Sequence, residues 1–255
     1  MKWHLALYSA LIASASVNQT LAAIGDPIMA PAGNGLLVSP DVNKLLRVIS
    51  VGNILVRAGL TSASIREFIA QYDFSPVNVG TILESPLRMG DVKETPFTLT
   101  GGEELDVVVT NSAATSTRTT VAVIVGDGPI VPAKGQIFSV HWTTTQALAA
   151  AAFQNFTPTL DNGLPSGQFA LVGARVRSAT GLFFRIIPRG GGPFRPGGPM
   201  YQAADDGGPM NWFRNGEMGE WMRFSNTTPP QVECFAISAD AANSVDGYFD
   251  LIQVA

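Results

Sequence analysis

The sequence predicts an all-β protein built as two tandem antiparallel β-sandwiches, and three observations predict it. The 255 residues include 26 Gly and 17 Pro, a composition that suits many short strands joined by turns. Apolar and β-branched runs of strand length recur between those turn residues. Lastly, one stretch is echoed. Gly101–Asp127, GGEELDVVVTNSAATSTRTTVAVIVGD, and Gly219–Asp240, GEWMRFSNTTPPQVECFAISAD, share one order of features. Each reads as Gly-Glu, a short apolar strand, an Asn-Ser or Asn-Thr turn, a polar loop and a second strand beginning at Val. Aligning Asn111 on Asn226 sets the copies roughly 115 residues apart, the size of one sandwich domain rather than of a solenoid repeat. Two domains of about 110 residues would each bury about two-thirds of their unfolded surface, enough for separate cores.

Met1–Ala23, MKWHLALYSALIASASVNQTLAA, carries one Lys, a modest apolar stretch and small residues. Two readings stay open. It resembles a secretory signal with Leu21-Ala22-Ala23 as the cleavage site, but Tyr8, Ser9, Ser14 and Ser16 break the apolar run. The other reading, carried forward here, is an amphipathic helix or arm packing on a neighbour or an inner surface. Ile24–Asp41 holds Pro27, Pro31, Gly33, Gly35 and Pro40 and reads as a linker, so 1–37 is assigned as arm and linker. Leu45–Arg57 predicts one or two strands around Gly52-Asn53. Thr61–Tyr72 predicts a helix capped by Ser62 or Ser64, with Ile65, Phe68, Ile69 and Tyr72 on one face. Val77–Pro96 alternates turns and short strands. In Leu105–Val109, Leu105, Val107 and Val109 share a face. Val121–Val125 is apolar throughout, as in a central strand packed on both faces by the opposite sheet and a neighbour.

Gly126–Gly135 separates a first sandwich, 38–130, from a second, 131–255. The second opens with Gln136–Trp142. Thr143–Phe153 is ambiguous between helix, favoured by its alanines, and strand. Leu160–Gly167 contains two turn signals. Gln168–Arg177 and Leu182–Ile187, joined by Ser178–Gly181, predict a hairpin. Arg189–Gly208 is a long Gly/Pro loop of interface or functional character, and Gly247–Val254 predicts a closing strand.

Only 14% of residues are charged, against roughly 25% in an average soluble domain. Such a surface is either covered by partners or made soluble by Ser, Thr, Asn and Gln. The net charge is −4 and the 16 Lys and Arg are spread widely, which excludes a dedicated duplex nucleic-acid binder. The single cysteine, Cys234, permits no intrachain disulfide and reads as a small buried hydrophobe; a catalytic thiol would need His4 or His141.

Several groups are candidates for chemistry. Arg175, Arg177, Arg185, Arg189 and Arg195 form a local basic cluster. They read either as solvated strand charges and inter-subunit pairs or as a face meeting nucleic acid or acidic lipid. Arg175 and Arg177 share a strand face that Arg185 could join. Trp212, Phe213 and Trp221 read as core or interface packing, or as a sugar-stacking set. Glu103-Glu104, Asp205-Asp206 and Glu217/Glu220 are carboxylate pairs without glycosidase or calcium-loop spacing. Gly190–Gly192 and Gly197-Gly198 lack the helix a phosphate loop needs. No G-x-S-x-G elbow and no closed zinc set occur, so no catalytic residue, metal or cofactor is expected. Asn18, Asn155 and Asn226 head N-x-T triplets, a common pattern.

Two tandem sandwiches of similar size, a short N-terminal arm, long loops, low charge and the internal echo resemble the double jelly-roll major capsid proteins of tailless icosahedral viruses. The resemblance runs from about Val38 to the C-terminus and rests on layout rather than on a motif. It implies jelly-roll sandwiches. It also implies a homotrimer with six similar lateral contacts, a capsid lattice in the virion with minor capsid proteins, and a packaged genome or inner membrane beneath. The alternative is a secreted binding module, a lectin or adhesin, cleaved near Ala23.

Overall fold

The computed structural model describes residues 2–52, 55–74, 90–111, 114–145, 147–189, 192–202, 216–236, 238 and 244–254. The protein is all-β, and the chain forms two compact units, Lys2–Pro129 and Ile130–Ala255.

The first unit runs β1 (Trp3–Ile12), β2 (Ser16–Thr20), β3 (Pro31–Ala32), β4 (Gly35–Leu37), β5 (Lys44–Gly52), β6 (Leu55–Thr61), α1 (Ala63–Arg66), β7 (Tyr72–Phe74), β8 (Gly90–Asp91), β9 (Phe97–Thr98), β10 (Glu104–Asn111) and β11 (Thr117–Gly126). One sheet has the order β1-β11-β5-β8, with β9 also on β5; the other is β3-β4-β10-β6-β7, with β2 also on β10. The second unit runs β12 (Phe138–Thr145), β13 (Phe153–Phe156), β14 (Thr159–Leu160), β15 (Gln168–Ser178), β16 (Gly181–Ile187), β17 (Gly197–Pro199), β18 (Tyr201–Gln202), β19 (Met222–Ser225), β20 (Gln231–Ala236) and β21 (Ser244–Gln253). Its sheets are β14-β12-β21-β15-β18, with β19 also on β15, and β13-β20-β16-β17.

The two units share a connection scheme. The first long strand pairs antiparallel with the last, as β1 with β11 and β12 with β21. The last pairs with β5 or β15, and β10 or β20 pairs with β6 or β16. Local sequence explains the placement. Val121–Val125 is fully buried on both faces of β11, as a run of β-branched side chains in a central strand should be. In β10, Leu105, Val107 and Val109 are buried while Asp106, Val108 and Thr110 are half-exposed, which is the period-two pattern of a half-buried strand.

Four expectations are corrected and one ambiguity is resolved. Residues 3–12 are not an arm or helix: β1 pairs with β11 over its whole length, and Trp3, Leu5, Leu7, Tyr8 and Ile12 are core. Burying each such side chain is worth about 1.5–3 kcal/mol, more than a one-faced arm could gain. The 61–72 helix is a single turn, Ala63–Arg66, capped by Ser62, whose Oγ accepts from the Ile65 amide at 3.2 Å. Tyr72 instead pairs with Leu60 in the β6–β7 ladder, leaving Phe68 and Ile69 78% and 55% exposed. So short a helix gains little by itself. Third, Gln168–Arg177 and Leu182–Ile187 are strands but not a hairpin. β15 pairs with β21 and β19, whereas β16 pairs with β20 and β17 in the other sheet. The Ser178 hydroxyl accepts from the Thr180 and Gly181 amides at 3.2 and 3.0 Å and closes the turn that redirects the chain. The ambiguous Thr143–Phe153 stretch is strand to Thr145 and is not helical among its described residues. Finally, the two echoed segments are not equivalent. The first crosses from the sheet of β6 (β10) to that of β5 (β11), whereas the second crosses from the sheet of β15 (β19) to that of β16 (β20). Their likeness is that of two sheet-crossing turns, and the duplication lies in the connection scheme.

Candidate functional site

The five arginines do not form one cluster: Arg175 and Arg177 lie on β15 in one sheet, Arg185 on β16 in the other, and Arg189 and Arg195 between β16 and β17. Arg175 and Arg177 lie two residues apart on β15. The register sets Arg175 beside Tyr248 and then His141, and Arg177 beside Asp246 and then Thr143. These residues share one sheet face, since directly opposed residues point the same way. Arg177 makes a two-pronged pair with Asp246, Nε to Oδ1 at 3.0 Å and Nη2 to Oδ2 at 2.7 Å. Arg175 instead sits over Tyr248, its Cζ 4.4 Å from the ring centroid. His141 leans on the same tyrosine with ring centroids 4.8 Å apart. Its Nδ1 is 2.5 Å from Asp161 Oδ2, and its Nε2 is 3.8 Å from Asp246 Oδ2.

Arg185 joins a different group. It is buried on β16, its Nε donates to Glu233 on β20, and its Cζ stacks 3.7 Å from the Phe153 ring centroid. Arg195, in the loop before β17, donates from Nη1 to the other oxygen of Glu233 at 2.7 Å. Arg189 donates from Nη2 to Thr157 Oγ1 at 2.9 Å. These bonds hold Arg189 and Arg195 individually, and the Ile186 amide donates to Pro196 O at 2.7 Å; residues 190–191 and 203–208 of the Gly/Pro stretch lie outside the described residues. A buried carboxylate bridging two guanidiniums is structural chemistry.

Of the aromatic trio, Trp221 is 5% exposed and stacks on Phe184 with centroids 6.2 Å apart, so it belongs to the core. Trp212 and Phe213 lie outside the described residues, as does Asp205-Asp206. Glu103 is a loop staple: its carboxylate accepts from the Ser64 amide at 2.7 Å and the Thr100 amide at 2.9 Å. Glu220 pairs with Arg223 at 2.8 Å. Cys234 is buried, and burial first, then the Glu233 charge, pushes its thiol well above the ordinary range, the opposite of a reactive cysteine. His4 is buried with Asp26, Nε2 to Oδ2 at 2.7 Å. No cluster of three or more His, Cys, Asp or Glu among the described residues could hold a metal. No described helix is long and apolar enough to cross a membrane.

Sequence reasoning missed the His141, Asp161, Asp246 and Tyr248 grouping. Its members are scattered along the chain and meet through the β12–β21–β15 register and, for Asp161, the β14–β12 pairing. The one available signal was that His141, Tyr248 and Arg175 each sit within a strand-like stretch.

No family model and no curated protein sequence matches the chain. Among solved structures, a xanthan lyase of Paenibacillus aligns over 94% of this chain at 11% identity with a TM-score of 0.25, and the chain spans 23% of that enzyme's length. The major capsid protein P2 of bacteriophage PM2 aligns over 97% of this chain and 98% of its own, at 8% identity with a TM-score of 0.23. The chain is thus weakly similar in structure to a phage capsid protein and to a β-rich lyase, and at these scores neither likeness carries an argument about function.

Proposed function

We propose that this chain is a structural protein, a shell subunit of the double jelly-roll kind that assembles as homotrimers into the capsid of a virion. The observation carrying the reading is strand order. Numbering eight strand positions along each unit, the sheets read 1-8-3-6 and 2-7-4-5 in both. In the first unit these are β1-β11-β5-β8 and β4-β10-β6-β7; in the second, β12-β21-β15 with β18 and β19, and β13-β20-β16-β17. With β2, β3, β9 and β14 as additional strands on these sheets, this interleaving is the order expected of the double Greek key of a jelly roll, a fold used by capsid and lectin domains. Two fused copies let a threefold oligomer offer six similar edges, and a chain only 14% charged suits broad covered interfaces.

The secreted binding module fits less well. Cleavage near Ala23 would remove β1, which fills one side of β11, and Trp221 is buried away from ligand. We assign no reaction to the protein. Light scattering and electron microscopy of the purified full chain test the proposal. Trimers and closed or sheet-like particles are expected, whereas a chain that stays monomeric at high concentration overturns it.

A further inference from the structure

We propose that the Arg175–Tyr248 pair, on the neighbouring central strands β15 and β21 of the second unit, is a binding site for a phosphate oxyanion. The inference does not depend on whether the chain assembles. Arg175 and Arg177 occupy the same face of one strand, two residues apart, yet end differently. Arg177 meets a carboxylate, Asp246, in a two-pronged pair. Arg175 meets an aromatic ring, 4.4 Å from Tyr248, and has no hydrogen-bond acceptor among the described residues. Its Nε is sealed from solvent without a partner. A buried unsatisfied donor costs about 1–3 kcal/mol, and one in a native site calls for an explanation such as a bound ion.

The chemistry around it suits an oxyanion. Its position over the ring restrains the guanidinium, so less side-chain freedom is lost when its fork takes up two oxygens. The Tyr248 hydroxyl, on the same half-exposed ring, makes no hydrogen bond among the described residues and is a second donor. Three carboxylates lie nearby, and each is engaged: Asp246 with Arg177, Asp161 with His141 at 2.5 Å, and buried Asp250 with the Ser139 hydroxyl at 2.5 Å. Among the described residues, Arg175 is therefore a cation of this face with no carboxylate partner. A tetrahedral phosphate offers oxygens for both the fork and the phenol, and it could be free or carried on a lipid headgroup.

The test titrates the full chain with inorganic phosphate against chloride at matched ionic strength. Two responses are followed: the thermal midpoint, and the Arg175 side-chain N–H resonance by NMR. Phosphate should raise the midpoint and shift that resonance. Arg175→Lys should bind at least tenfold more weakly, since it keeps charge but loses the fork, and Arg175→Gln should not respond. Arg223→Gln, at the exposed pair with Glu220, should respond as the native chain does. An Arg175 resonance unmoved by phosphate, or an Arg175→Gln midpoint that rises as the native one does, overturns the proposal; the NMR reading holds even if the variants fold poorly. Flotation with phosphatidylglycerol vesicles, against phosphatidylcholine, separates the sources. Anionic-vesicle binding lost in Arg175→Gln identifies a headgroup, while a phosphate response without flotation identifies free phosphate.

Discussion

Glu233 carries the tightest electrostatic constraint in the second unit: a buried carboxylate shared by Arg185 and Arg195. Removing one partner of a buried pair strands the others, at a cost of about 3–5 kcal/mol. Glu233→Ala should therefore lower the unfolding free energy by that order, while Glu220→Ala, at the exposed pair with Arg223, should leave it nearly unchanged. Chemical denaturation of both variants checks this. In the first unit, Asp91 bonds Arg47 at 2.6 Å and Lys93 at 3.0 Å. Burial alone would raise its carboxyl; hydrogen bonds and charge from Arg47, with help from Lys93, outweigh burial and hold it below its ordinary value. A depressed folded value means stability that is present above the unfolded value and lost as the pH falls through the folded one. Native stability should thus decline below about pH 4, the ordinary range for aspartate, with a component that Asp91→Asn lacks. Midpoints measured from pH 2 to 6 would refute the assignment if both chains lost stability in parallel.

At the scale of elements, glycines mark where strands approach too closely for a side chain. A Cβ on Gly197 in β17 would lie 2.0 Å from the Phe184 carbonyl oxygen of β16, whereas one on Gly163 would meet nothing within 4 Å. Gly197→Ala forces backbone apart and should cost at least about 1–3 kcal/mol; Gly163→Ala should be near neutral. Thermal unfolding of the pair checks the contrast. Strand β1 gives a harsher test. Deleting residues 1–23 removes β1 and β2 and bares the edge of β11 and its apolar run Val121–Val125. An unpaired apolar edge invites edge-to-edge association, so the truncated chain should aggregate on expression, read by its soluble fraction.

Across the molecule, some things could be read from one dimension and others could not. Strand identity was legible where a short-range pattern encodes it. Leu105, Val107 and Val109 alternate, and Val121–Val125 is apolar throughout, because a strand's two faces are set by neighbours in sequence. Pairing was not legible. Ser178–Gly181 looks like a hairpin turn, yet it sends β16 to another sheet, and no local signal distinguishes a turn that returns from one that crosses. The echoed segments misled for the same reason: turn chemistry repeats wherever the chain changes sheets. The basic cluster was legible as composition only, since Arg175 and Arg185, close in sequence, belong to different sheets. The amino-acid sequence by itself determined that this protein is all-β, that its charge is sparse and where its most regular strands lie, such as Glu104–Asn111 and Gln168–Ser178, because these follow from composition and from side-chain alternation along a strand. Only the tertiary structure decided that Trp3–Ile12 is a core strand, that Arg175 rests on Tyr248 with no carboxylate partner among the described residues and that both halves share their central strand pairings. Register and sheet membership are set by partners about a hundred residues away, whose choice depends on burying both sheets' apolar faces at once.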